Sequence, residues 1–151
     1  MLKKLNEFMK ETLCETLGIE VIECGDGRLV ATMPVDNRTH QPVGLLHGGA
    51  SVALAETIAS IGGYFLVARD GLTVVGQEIN ANHLRSVTSG KVKGVGEIIF
   101  RGKRSQVWGI SIFDDADRLI CISRCTLAVI ENNVGDPLQK LLSSVQRIEK
   151  V

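Results

Sequence analysis

The chain lacks an excess of charge of either sign. Its 17 lysines and arginines are matched by 17 aspartates and glutamates, for a formal net charge of zero over 151 residues. Proteins that grip a polyanion usually carry a basic excess or stripe, so nucleic acid is excluded as the main partner. Low net charge also suits self-association. The start, Met1-Leu2-Lys3-Lys4-Leu5-Asn6-Glu7, has no continuous apolar region of the signal-peptide kind, and a cytoplasmic location is expected. No C-x-x-C occurs. Cys14, Cys24, Cys121 and Cys125 are expected to be reduced, small buried hydrophobes, the last two sharing one face of a strand. Also missing are a Walker loop and a G-x-G-x-x-G opening a helix. His40, His47 and His83 show no metal-ligand spacing, so no metal and no cofactor are expected. Gly49-Ala50-Ser51-Val52-Ala53 resembles a nucleophile elbow without its closing glycine, which makes Ser51 a poor serine nucleophile.

What is present is a composition 44% hydrophobic and 23% charged, that of a soluble globular protein with one core. Apolar positions at Leu2, Leu5, Phe8, Met9 and Leu13 predict a helix over residues 2 to 16, broken by Gly18. A strand follows from Ile19, then a tight turn at Gly25-Asp26-Gly27, then a return strand to about Pro34. Residues 35 to 44 read as a loop. A long Ala-rich helix starts near Leu46 or Gly48 and runs to about Ala68; Gly62-Gly63 within it suggests a tight crossing. Strands are expected over 72–85, from Val92 to Phe100, over 106–113 and from Leu119 to Ile130, with a cationic turn between Arg101 and Ser105. The only candidate for a membrane span, residues 48–68, carries Glu56, serines and glycines and is expected to be a core helix instead. Asp136-Pro137 opens a final amphipathic helix with its stripe at Leu138, Leu141, Leu142, Val145 and Ile148. The class is therefore α+β, with the long helix packed on one antiparallel sheet. The domain spans residues 1–131 and a helical extension 132–151.

The chemistry gathers between residues 41 and 60. From His47 to Ala68 only Glu56 is certain to be charged at neutral pH. A carboxylate in an apolar helix is unfavourable unless it is paired, solvated or used. Its neighbours three and four positions away, Val52, Ala53, Ala59 and Ser60, include no cation. Ser60 lies one turn on, placed to share a water with Glu56. Gly48 and Gly49 fall at the helix start, where unpaired amides and the helix dipole favour an oxyanion. His47 is either a further donor to that oxygen or the helix cap. Gln41 sits before Pro42 in the same constrained loop.

The pattern Gln41-x-x-Gly44-x-x-His47-Gly48-Gly49-Ala50, with Glu56 eight residues after Gly48, resembles the hotdog-fold acyl-CoA thioesterases. It is most similar to the branch acting on aromatic acyl thioesters such as hydroxybenzoyl-CoA and dihydroxynaphthoyl-CoA. Val74 to Ser86 and Gln106-Val107-Trp108 share the likeness, which covers about residues 15 to 131. The resemblance implies a long helix wrapped by a five- to six-stranded antiparallel sheet, paired edge to edge into dimers and then a tetramer. It implies an active site between protomers. Glu56 of one chain would be general base or nucleophile, with Ser60 orienting water. Gln41, His47 and Gly48 of the other would hold the thioester carbonyl. His83 and Arg85 would lie near the substrate and CoA, and Gly102, Lys103, Arg104 and Ser105 near the nucleotide phosphates. Asp36 and His40 are one residue too close for the hydratase pattern of the same fold, which favours hydrolysis. A non-catalytic acyl-CoA-binding protein and a thioesterase for acyl-carrier-protein thioesters remain the alternatives. Ordinary side chains, among them Val52, Ile61, Tyr64 and Phe65, are the candidates for lining a specificity pocket.

Overall fold

The computed structural model describes residues 1–132. The helix predicted after Asp136 lies outside the described residues. The single helix expected over residues 2 to 16 is instead two: α1 (Leu2–Phe8) and α2 (Leu13–Leu17). Thr12 accounts for the break. Its hydroxyl donates to the Met9 carbonyl (2.6 Å) and accepts from the Cys14 amide (3.2 Å), taking over backbone groups that a continuous helix would pair. Glu11 beside it takes a left-handed φ of 58°. Gly18 then ends α2 with φ 68°, as its position predicted.

The predicted hairpin follows as β1 (Glu20–Gly25) and β2 (Arg28–Pro34). After the loop comes α3 (Gly48–Val67), extended by a 3-10 turn over Ala68–Asp70. The remaining strands are β3 (Leu72–His83), β4 (Lys91–Arg101), β5 (Ser105–Asp114) and β6 (Leu119–Glu131). All pair antiparallel in one six-stranded sheet of order β1-β2-β4-β5-β6-β3. β5 alternates buried and half-buried residues along its whole length, and β6 alternates buried with half-buried or exposed residues from Cys121 to Ala128, the period of a sheet with one face on a core. Cys121 and Cys125 both point inward, as their even spacing required.

The two edges of the sheet differ. On β1, six residues long and bulged between Val21 and Glu23, the Asn6 side chain of α1 occupies the outer edge. Its amide donates to the Val21 carbonyl and accepts from the Val21 amide, both at 2.9 Å. On the other side β3 runs twelve residues and pairs only with β6 among the described elements.

Helix α3 lies across the sheet and is buried along Leu54, Ala55, Ile58 and Ala59, each 0% exposed. In length and composition it is apolar enough to cross a bilayer, but 56% of that window is buried inside the protein. Its C-terminal half presses backbone against the sheet. A Cβ on Gly62 would stand 2.5 Å from the Trp108 ring, and one on Gly63 2.5 Å from Leu127. The same approach lets the buried Gln106 side chain donate to the Gly63 carbonyl (3.2 Å) while accepting from the Trp108 indole N–H (3.0 Å). The glycine pair is thus the tight crossing that its place in the helix suggested. Gly62→Ala tests this through the sign of its effect. Helix propensity alone would stabilise the variant by about 1 kcal/mol, whereas collision with Trp108 should destabilise it by about 1–3 kcal/mol. The latter, seen as a lower urea midpoint, is the expected outcome.

Candidate active site

The sheet leaves one stripe of α3 uncovered. Ala53, Glu56, Thr57, Ser60 and Ile61 recur at i, i+3, i+4, i+7 and i+8, a single helical face. With the N-terminal helices they line a cavity of about 420 Å³. Glu56 is half-buried at its side. Among the described residues no cation pairs with it. Its carboxylate rests against β3, where a Cβ on Gly76 would come 2.7 Å from Oε1. The register of β3 slips between Gly76 and Glu78 at the same place. A glycine at this position is therefore what admits the carboxylate. Behind it, burial pushes the Cys125 thiol up to about 11, with the Glu56 and Glu78 carboxylates adding to the effect.

The second group lies at the N-terminus of α3. His47 is the N-cap, and its Nδ1 accepts from the Gly49 amide (2.8 Å). That bond assigns the proton of the neutral ring to Nε2, leaving an N–H donor there. The cap and donor readings of His47 are thus compatible. Gln41 behaves in the same way: Oε1 accepts from the Val43 amide (2.9 Å), which leaves its NH₂ to donate. The Gly48 amide has no hydrogen bond among the described residues. The uncommitted polar hydrogens of this turn are all donors, and they stand at the positive end of a twenty-residue helix. Such a set suits developing negative charge on an oxygen. The His83 ring lies against Gly48, with Nε2 2.8 Å from where a Cβ would be. Gln41, Gly48, Ser51, His83 and Arg85 line a cleft of about 330 Å³. Arg85 is held by donating to the Leu119 carbonyl.

One chain does not unite these groups. Gly48 and Glu56 are eight residues apart, about 12 Å along the helix axis, and open into separate cavities. The turn Gly102 to Ser105 is further off. It is closed by Gly102 N–H donating to the Ser105 carbonyl (2.9 Å), with Lys103 and Arg104 exposed. Arg101 donates to the Leu66 carbonyl (2.7 Å), so this turn sits by the C-terminal end of α3, opposite Gly48. Asp36 and His40 serve the loop instead of a site. Hydrogen bonds from Arg38 hold the Asp36 carboxyl down at about 2, and His40 Nε2 meets the Thr88 carbonyl at 3.0 Å. Among the described residues no three His, Cys, Asp or Glu side chains converge as a metal site.

Sequence reasoning missed Gly76, Thr57 and the N-terminal residues over Glu56. A glycine interrupting the β-branched run of β3 was the available signal for the first. Of the side chains expected to line a pocket, Ile61 does so, whereas Tyr64 is buried and stacks edge-on with Phe65 at 6.0 Å.

A long central helix against a six-stranded antiparallel sheet matches the architecture of thioesterases of the hotdog fold. Residues 43–121 match the model of the thioesterase superfamily, and the chain belongs to that superfamily. It is 54% identical over 129 residues to a proofreading thioesterase, EntH, of Cronobacter turicensis, covering 85% of this chain and 93% of that protein. A thioesterase from Haemophilus influenzae superposes with a TM-score of 0.85 at 48% identity, covering 89% of this chain and 94% of its own. A Pseudomonas aeruginosa thioesterase, solved as a glutamine-to-alanine variant, does so at 0.83 and 45%, covering 86% and 94%. The protein is thus a thioester hydrolase.

The Cys125 thiol, fully buried and with its pKa pushed up to about 11 by that burial, should resist DTNB in the folded protein at pH 8 and react once the chain is denatured. Counting thiols released before and after adding guanidinium checks this; labelling of Cys125 in the native state would contradict it.

Proposed function

We propose that the chain hydrolyses aromatic acyl-CoA thioesters to the free acid and CoA in the cytoplasm, at sites shared between two protomers. The observation that carries the reading is the division of the site. One chain holds a carboxylate with no backbone amide donors beside it, and donors with no carboxylate beside them. The long edge of β3, unpaired on its outer side among the described elements, offers the surface across which a second copy would bring the two together. A pair of such dimers would make the homotetramer.

In this reading the thioester carbonyl lies against the donors of one protomer, the Gly48 amide, His47 Nε2–H and the Gln41 NH₂. They strengthen their hold as the oxygen becomes negative. Glu56 of the other protomer takes a proton from a water held with Ser60, or attacks the carbonyl itself to give an anhydride that water then opens. CoA thiolate leaves and is protonated. His83 and Arg85 flank the carbonyl cleft, and the turn Gly102 to Ser105 offers Lys103 and Arg104 to the nucleotide phosphates. The aromatic preference is supported by the apolar cavity beside Glu56.

Glu56→Gln should lower turnover at least about 100-fold, in line with the loss of a general base. Mixing it with an equally impaired Gln41→Ala protein, after dissociation and reassembly, should restore activity that neither has alone, because a hybrid pair contains one intact site. Wild-type rates in the glutamine variant, or no recovery on mixing, would sink the shared-site reading. The assay is release of CoA thiol from a panel of aliphatic, benzoyl and naphthoyl esters. An acylated carrier protein turned over far faster than any of these would shift the natural substrate to that partner.

Gly76→Ala gives a milder test. The new methyl must displace the Glu56 carboxylate, and a misplacement of about 1 Å costs up to about 100-fold. Turnover should fall while the circular dichroism spectrum and elution volume stay unchanged. Retention of full activity would mean that the carboxylate does not work from this position.

A further inference from the structure

An antiparallel sheet with one face on a core usually turns polar residues outward on the other. Here the outer face, away from α3, is apolar. Val75, Ile99, Phe100, Ile122 and Ile130 are each between 43% and 65% exposed. The strand registers put them on one side. Ile122 and Ile130 have the parity of β6 that α3 does not bury, Val75 lies opposite Ala128, and Phe100 lies opposite Val107. Ile99 joins them because the register of β4 slips between Ile98 and Phe100, and its side chain leans over Gly109, 2.9 Å from where a Cβ would be. Arg124 stands among them. It lies opposite Gly109, is exposed, and enters no salt bridge among the described residues. A contiguous apolar face of this kind marks an interaction surface.

We propose that this face is the docking surface for the chain's own C-terminal segment, residues 133–151, laid back along β6 as an amphipathic helix. The exit of the chain favours it. The Asn132 amide donates to the Gly71 carbonyl (3.2 Å), which pins the end of β6 two residues beyond Ile130, at the margin of the apolar face. The lengths agree. Asn133-Val134-Gly135 gives room to reverse direction, Pro137 to Glu149 spans about 18 Å as a helix, and Ile130 to Arg124 spans about 20 Å of strand. The pattern agrees too. Leu138, Leu141, Leu142, Val145 and Ile148 form one apolar stripe that needs a surface to bury it. On the same helix Glu149 returns to within about 20° of Leu138, so the stripe ends in a carboxylate. That carboxylate arrives level with the unpaired Arg124, while Lys140 and Arg147 fall on the opposite, solvent side. Because the segment is tethered beside the face, it meets it at an effective concentration that a second copy or a free partner must exceed.

Trypsin reads the docking, because a free segment is cut readily after Lys140 and Arg147. In the full chain that cleavage should be slow and independent of protein concentration. Ile99→Asp brings a charge into the face at an exposed position and should speed it by about tenfold or more, since cutting follows the population of the open form. If Ile99→Asp does not fold, as judged by circular dichroism, Leu142→Asp in the segment itself takes its place. Arg124→Glu should also speed cleavage, and adding Glu149→Arg should slow it again, a rescue that general loosening of the sheet does not give. Equal rates in the wild type and the folded Asp variant overturn the docking, as does a charge exchange that restores no protection. Cleavage of the wild type that quickens on dilution means that a second copy is what covers the segment, and overturns the placement on its own sheet.

Discussion

The whole arrangement depends on how closely α3 can approach the sheet. At Gly62 and Gly63 the helix presents backbone to Trp108, Gln106 and Leu127. That approach buries an indole and a carboxamide whose polar atoms would otherwise be unpaired, and their bonds to each other and to the Gly63 carbonyl make the burial tolerable. With the C-terminal half of the helix fixed in this way, its rotation about its own axis is fixed too. The rotation decides that Leu54, Ala55, Ile58 and Ala59 go into the sheet and that Glu56 and Ser60 come out beside it. The carboxylate then needs room at one point only, and Gly76 with the slipped register of β3 provides it.

Most of this architecture is legible in the residues. Strand periodicity in β5 and β6, turn residues at Gly25-Asp26-Gly27, and the Ala-rich stretch after Gly48 each fix an element to within a residue or two. The two glycines in α3 announce a close approach, although not what approaches. Glu56 stands out because an unpaired carboxylate in an apolar helix is unfavourable. Gly48 stands out because it falls where amides lack partners.

The rest is hidden for physical reasons. The helical period of residues 2 to 16 is real as a pattern, but Thr12 can cap as well as continue a helix, and only the packing of Phe8 and Leu13 over α3 decides between the two. Gln41 and His47 reveal their donors only once the loop has used their acceptors. Gly76 faces Glu56 across a fold whose register no local pattern specifies. The uneven division of these groups between two cavities is likewise a property of the folded helix: eight residues read as neighbours along the chain, yet in a helix they are more than two turns apart.

The contrast between the sheet's edges has a consequence for growth. A strand edge with bare amides and carbonyls recruits any similar edge. A molecule with two such edges could add copies at both ends and extend into a ribbon. Here Asn6 lends its side-chain amide to β1 as a short counterfeit strand, so one end of the sheet is already answered from within. In the shared-site reading, pairing through β3 alone would use the same surface on both copies and stop at two. A single asparagine side chain would then favour a sheet that closes at two copies over one that extends.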